Sequence, residues 1–313
     1  MTKKPTQTAN ESKPHRQCGS MAVYERLSEM DAEFRAKQLA IESASREFVN
    51  QRSMLSARLS EKLTFKIPVI VHCLYNSNDQ KITLAQVTNQ IKILNEDFGL
   101  KNKDKKNIPK VWTSLASDTG IGFVLASTTP DGLPINGVTF TKTDRTGFGT
   151  GDTVKRALDG GVDPWDTKQY LNIWVAPLLG GLLGYAQFPG GPAATDGVVI
   201  ASSAFGTSGT AKAPFNKGRT ATHEVGHYLN LRHIWGDSND CSGTDYCSDT
   251  PRQQGPNYNV PTFPHVSCNN GPNGDQFMNF MDYVDDAAMV MFTASQAARM
   301  LATLTGPRAK LVS

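Results

Sequence analysis

Thr222-His223-Glu224-Val225-Gly226-His227-Tyr228-Leu229-Asn230-Leu231-Arg232-His233 decides how this chain is read. His223 and His227 are four residues apart, so a helix carries both imidazoles on one face. Two nitrogens so placed can hold one Zn²⁺. Glu224 points to the adjacent side, where its carboxylate can take a proton from a water polarised by the metal. A catalytic zinc needs a third protein ligand and an open position. His233 lies six residues beyond His227, so a continuous helix would point it away and the chain must turn sharply between them. Asn230 stands where that turn is needed, and Asn is one of the few residues that end a helix in the left-handed conformation. Three of the six histidines of the chain fall within this segment.

Outward from this segment, the pattern is that of an α/β protein. Residues 66–74 (KIPVIVHCL) read as a buried strand, as do 121–126, 138–141, 170–176 and 197–202. Residues 84–98 have helical periodicity with Thr83 as N-cap, and helices are expected over 217–229 and 294–303. A Gly-rich stretch, 179–186, can supply an edge strand that pairs with an extended substrate. Residues 233–279 are almost all turn chemistry, and so long an irregular segment is usually functional or held by ligands and bridges. Residues 1–19 are polar and aperiodic, 21–49 predict one or two helices, and 50–62 read as a linker.

The 313 residues are 39 % hydrophobic and 19 % charged, enough for a full core and unlike a disordered chain. A net charge of +3 gives no footprint of nucleic-acid binding. No apolar run reaches the roughly 18 residues of a membrane span. The N-terminal residues lack the apolar core of a signal peptide, so either export uses another route or the chain begins after signal removal. Five cysteines stand at 18, 73, 241, 247 and 268. The odd number leaves at least one unpaired, and the late cluster suggests disulfide stapling in an oxidising compartment. Cys73, in a strand, reads as a buried free thiol.

The zinc segment, together with CGSMAVYERL (18–27), IPVIVHCLYN (67–76), HIWGD (233–237), CSDTP (247–251), GPNGDQFMNFMDY (271–283) and MFTASQAARM (291–300), resembles the pappalysin family of metzincin metalloproteases. The resemblance spans nearly the whole chain. It implies an α/β zincin: a twisted, mixed five-stranded sheet and helices in an upper subdomain, with an irregular lower subdomain after His233. It implies a secreted zinc endopeptidase made as a zymogen, with a propeptide over 1–57 that inhibits its own enzyme and a catalytic domain over 58–313. Within it His223, His227 and His233 bind zinc, Glu224 is the general base, and Tyr283 hydrogen-bonds the oxyanion. Met281 is the methionine of the turn beneath the metal, and Cys18 is the fourth zinc ligand of the latent form. Asp245, Ser248, Asp249 and Thr250 match a calcium-binding stretch. Asp285 and Asp286 match the wall of the pocket for the residue after the scissile bond, where a carboxylate favours Lys or Arg and makes self-cleavage before Arg52 or Arg58 a natural activation step. The cysteines depart from the family pattern: Ala288 and Val260 mark places where relatives often carry one. Cys241 can pair with Cys268 or with Cys247, and the former is favoured. Two other functions stay open: a zinc hydrolase acting on a non-protein or cell-wall peptide substrate, and an inactive scaffold, against which the intact Glu224 speaks.

Overall fold

The computed structural model describes residues 14–55 and 63–312. The propeptide boundary expected at 57/58 and the candidate cleavage point at Arg58 lie outside them, and residues 1–13 likewise.

Six strands form one sheet: β1 (Phe65–Tyr75), β2 (Ile121–Leu125), β3 (Val138–Lys142), β4 (Leu171–Ala176), β5 (Gly184–Ala186) and β6 (Val198–Ala201). The expected number was five. β1 is long enough to pair with β2 through Phe65–Val69 and, farther along the same edge, with β3 through Val71–Tyr75. The sheet is therefore five positions wide, in the order β2/β3, β1, β4, β6, β5. All pairings are parallel except that of β5 with β6, which leaves β5 as an antiparallel edge.

Parallel strands buried on both faces need apolar residues at successive positions. The alternation of side chains assigns them to two layers. Ile67, Val69, Val71 and Cys73 of β1, with Leu171, Ile173 and Val175 of β4, enter the larger core. Leu74, Trp174, Ala176 and Val199 enter the smaller one on the other face. That face also buries His72, with Nε2 3.0 Å from Asn172 Oδ1 and Nδ1 2.9 Å from Thr139 Oγ1. Burial pulls its pKa down to about 4, so this histidine is a neutral structural residue.

α3 (Leu84–Phe98) lies against the larger core and begins at Thr83, whose hydroxyl accepts from the Gln86 N–H. α4 (Arg219–Tyr228) carries the zinc segment, and α5 (Ala294–Thr305) starts with a Thr293/Gln296 capping box. Toward the N-terminus stand α1 (Ser20–Met30) and α2 (Ala32–Leu55), which packs on α5. Residues 50–55, expected as linker, continue α2. Asn50 and Gln51 there are exposed. Val23 of α1 is fully buried in the smaller core, so the leader is packed into the domain.

After His233 the chain is irregular, as expected. Cys241 and Cys268 form a disulfide, while Cys18, Cys73 and Cys247 are free. The bridge spans a separation of 27 residues, and a loop of that size implies about 3.5 kcal/mol of stabilisation through the unfolded state. Replacing both Cys241 and Cys268 by Ser is expected to lower the unfolding free energy by that order in denaturant titration. An unchanged midpoint would show that ligands alone hold this loop.

Candidate metal centre and active site

α4 ends in a Schellman turn. Leu231 N–H donates to Gly226 O at 2.9 Å and Asn230 N–H to His227 O at 2.9 Å, with Asn230 at φ +72°. This reversal brings His233 back to the helix face that carries His223 and His227. The last carbonyls of the helix are held from the C-terminal segment. Arg308 Nε donates to Tyr228 O, Thr303 Oγ1 to Leu229 O and an Arg299 guanidinium N–H to Asn230 O. Sequence reading missed all three. They lie some seventy residues away, and nothing local ties them to the zinc segment.

The three imidazoles converge through Nε2. His227 Nε2 lies 3.2 Å from His223 Nε2 and 3.1 Å from His233 Nε2. Tetrahedral ligands at 2.0–2.1 Å from a zinc are about 3.3 Å apart. Every Nδ1 has an outward acceptor: Phe280 O for His223 at 2.7 Å, Leu231 O for His227 at 2.8 Å and Asp237 Oδ1 for His233 at 2.5 Å. Those bonds place the protons on Nδ1 and leave three Nε2 lone pairs facing one another. Burial disfavours the protonated form of His223 and His227. Buried lone pairs at this separation repel unless a cation lies among them, so the donor set fits a metal. Asp237, which holds His233, went unread although a carboxylate four residues after the last ligand was its signal. Trp235 stacks flat on His233, with ring centroids 4.3 Å apart.

Met281 is fully buried beneath the site. A Cβ at Gly226 would stand 2.5 Å from its sulfur, so the glycine at the centre of the zinc segment is the space that this methionine occupies. Tyr283 sits beside the metal position, its ring centroid 4.9 Å from that of His233 and 5.8 Å from that of His223. The Cys18 backbone lies against its phenol, and burial raises its pKa.

The leader runs through the cleft. Cys18 pairs with Gly184 of the β5 edge in a parallel bridge, with Gly19 N–H donating to Gly184 O and Leu183 N–H to Gln17 O. A Cβ at Gly184 would meet Glu224 Cγ at 2.9 Å, so glycine there lets the edge strand approach the helix. The Cys18 sulfur and the three histidine nitrogens lie within 4.8 Å of one another, the only such metal-ready group among the described residues. Cys18 Sγ is also 3.4 Å from Glu224 Oε2. Burial first, and the Glu224 charge next, push its thiol pKa up. A cation among the imidazoles favours the thiolate instead.

Ser20, not singled out in the sequence, donates its hydroxyl to Glu224 Oε2 at 2.7 Å and accepts from Ala186 N–H at 2.8 Å. Burial raises the Glu224 pKa to about 7 against the opposing hydrogen bonds of Ser20 and Cys18 and the charge of Arg16.

Arg16 fills a closed pocket beside the site. Its guanidinium donates to Asp286 Oδ1 at 2.6 Å and Thr220 Oγ1 at 3.0 Å, and its Nε to Val284 O at 3.3 Å. Both Arg16 and Asp286 are buried. Asp286 Oδ2 accepts from the Lys217 and Arg219 N–H groups. Asp285, half-buried, donates its backbone N–H to Asn259 O. The two acidic residues therefore differ: Asp286 grips the guanidinium, and the backbone of Asp285 ties the turn to the lower loop.

The residues matched to a calcium stretch divide between two local tasks. Asp245 accepts from Cys247 N–H and Thr250 Oγ1, and burial raises its pKa to about 7. Asp249 accepts from Thr293 Oγ1 and Ser295 N–H at the start of α5, where Ser248 Oγ lies 3.4 Å from Ser295 Oγ.

Comparison with known proteins agrees with this geometry. Residues 158–305 match the Peptidase_M43 family model, described as pregnancy-associated plasma protein-A. An extracellular metalloprotease of Arthroderma benhamiae is 30 % identical over 270 residues, 83 % of this chain and 85 % of that protein. Extracellular metalloprotease 1 of Coccidioides posadasii is 43 % identical over 140 residues, 42 % of this chain and about half (48 %) of its own length. Among solved structures, Tannerella forsythia mature mirolysin with a cleaved peptide is 48 % identical with a TM-score of 0.78, covering 80 % of this chain and 97 % of its own. A promirolysin mutant of the same organism is 42 % identical with a TM-score of 0.81, covering 95 % of this chain and 97 % of its own. A three-histidine centre on a metzincin sheet, above a buried methionine and joined by relatives along most of its length, belongs to one family: the chain is a member of the pappalysin metzincins, a family of zinc metalloproteases.

Proposed function

We propose that this chain is the latent form of a secreted zinc endopeptidase that cleaves proteins or peptides before basic residues. The observation that carries this reading is the convergence of the His223, His227 and His233 nitrogens beside the Glu224 carboxylate. Bound zinc would supply Lewis acidity, polarising the scissile carbonyl and acidifying the attacking water. Glu224 takes the proton of that water and passes it to the leaving amine. The Tyr283 phenol donates to the oxyanion that develops.

Latency follows from the leader. Cys18 takes the fourth metal position, and the Ser20 hydroxyl holds the base where the attacking water would be activated. Residues 1–57 are the propeptide in this reading and 58–313 the enzyme. Support comes from coverage: the pro form of mirolysin matches 95 % of this chain and the mature form 80 %. The peptide in the mature mirolysin structure supports a peptide substrate. Extracellular relatives support secretion, and no helix among the described residues is long and apolar enough to cross a membrane.

The purified chain is expected to trim itself between about residues 50 and 60 and to gain casein-cleaving activity, read by N-terminal sequencing and assay. Glu224→Ala and chelator-treated samples should stay whole and silent. A chain that binds one zinc yet cuts no protein would redirect the reading to a cell-wall peptide hydrolase or a binding scaffold.

The preference for Lys or Arg after the scissile bond rests on Arg16, whose guanidinium already occupies the buried Asp286 pocket. Asp286→Asn is expected to reduce the kcat/KM ratio of Arg- over Ala-containing peptides by roughly ten- to hundredfold, the worth of a charged hydrogen bond. An unaltered ratio assigns specificity elsewhere.

Calcium at Asp245, Ser248, Asp249 and Thr250 is the last element of the proposal. It is supported by the buried Asp245 carboxylate and the oxygen-rich turn. A calcium-selective chelator that leaves zinc in place should lower the thermal midpoint, and an unmoved midpoint speaks against a structural calcium here.

A further inference from the structure

A second arginine of the leader is seated against the residues that follow it, beyond Cys18 along the chain. Arg26 of α1 donates from one guanidinium nitrogen to the Thr150 carbonyl and from another to Asp152 Oδ2. Asp152 is buried, and its other oxygen, Oδ1, lies 2.8 Å from the Lys155 ammonium. Lys155 is fully buried against the Trp174 and Tyr185 rings and donates to Thr195 O at 2.6 Å. One oxygen of the carboxylate is thus fixed from within. The other, with the Thr150 carbonyl, forms a fork of two acceptors aimed at the leader.

The fork adjoins the reaction site. A Cβ on Gly19, next to Cys18, would stand 2.6 Å from Thr150 Cγ2 and 3.3 Å from Tyr185 Cβ. Arg16 precedes Cys18 and occupies the Asp286 pocket, read above as the pocket after the scissile bond. Arg26 lies on the other side of Cys18 along the leader. Once the leader departs, the two acceptors are left open beside the place that Gly19 occupied.

We propose that Asp152 and the Thr150 carbonyl form a second subsite of the mature enzyme, which takes a guanidinium side chain of the substrate before the scissile bond. The inference rests on the proposed protease function. Lys155 neutralises much of the Asp152 charge, so recognition depends on paired, directed hydrogen bonds rather than on net attraction. A planar guanidinium meets two acceptors at once and an ammonium cannot match that fork, so arginine is preferred over lysine.

The test uses the processed enzyme and peptides that share one scissile bond. They vary among Arg, Lys, citrulline and Ala at each of the few residues before it. Arg should exceed both citrulline, its uncharged isostere, and Lys in kcat/KM by roughly ten- to hundredfold at one position. In Asp152→Asn that ratio should fall toward one. Binding of the same peptides to Glu224→Ala, with its leader removed by trypsin, is read in parallel by fluorescence polarisation. Equal rates and equal binding for Arg and citrulline overturn the subsite, as does a ratio that survives Asp152→Asn. If no peptide is cut by the wild type, the protease reading fails on its own, and the polarisation series still decides the subsite.

Discussion

The site depends on one constraint: three imidazole nitrogens must meet at a point while every other ring nitrogen stays satisfied. Two histidines meet because a helix repeats, and the third meets them because the helix is broken at Asn230. The Schellman turn would be a weak support alone. It is reinforced by Arg308, Thr303 and Arg299, which hold three successive carbonyls at the helix end. Phe280, Leu231 and Asp237 then fix the outer ring nitrogens, so the inner lone pairs have no proton to share. A cation resolves that arrangement, and the surrounding packing holds the rings in place for it.

The same economy of space shapes the site from below and above. Gly226 and Met281 are two halves of one contact, since a side chain at 226 would collide with the methionine sulfur. Gly184 lets the edge strand lie against Glu224. The leader uses these approaches. It bridges to β5 at Gly184, places Cys18 among the histidines and Ser20 on Glu224, and seats Arg16 on Asp286 and Arg26 on Asp152. In the proposed latent form the leader thus contacts the histidine centre, the Glu224 carboxylate and two carboxylates that seat guanidinium groups. The bidentate pair of Arg299 with Glu42, whose oxygens lie 2.9 and 2.7 Å from it, ties α2 to the residue that supports the Asn230 turn. The leader is thus coupled to the frame of the centre as well as to its face.

Much of this was legible in the sequence because the determinants are local. The spacing of His223 and His227, Glu224 between them and Asn230 before His233 place three imidazoles, a carboxylate and a turn within a dozen residues, since helical periodicity and left-handed propensity act over that range. The strands of β1, β4 and β6 were legible from their apolar runs, and the cap of α3 from Thr83. What lay beyond reading is non-local. The segments of β2 and β3 could be read as strands, but not that both pair along one edge of β1, which makes six strands of the five-stranded sheet that was expected. Residues 50–55 are helical where a linker was expected, because polar residues such as Asn50 and Gln51 suit an exposed helical face as well as a linker. The roles of Arg299, Thr303 and Arg308 arise only where α5 and the chain end pack on α4. Likewise, Arg16 and Asp286 are 270 positions apart and become a pocket and its occupant only through the fold. Sequence alone determined the chemistry of the centre, because periodicity and turn propensity are properties of neighbours. The tertiary structure decided what covers, supports and flanks it, because buried charges are paired by packing and not by proximity in the chain.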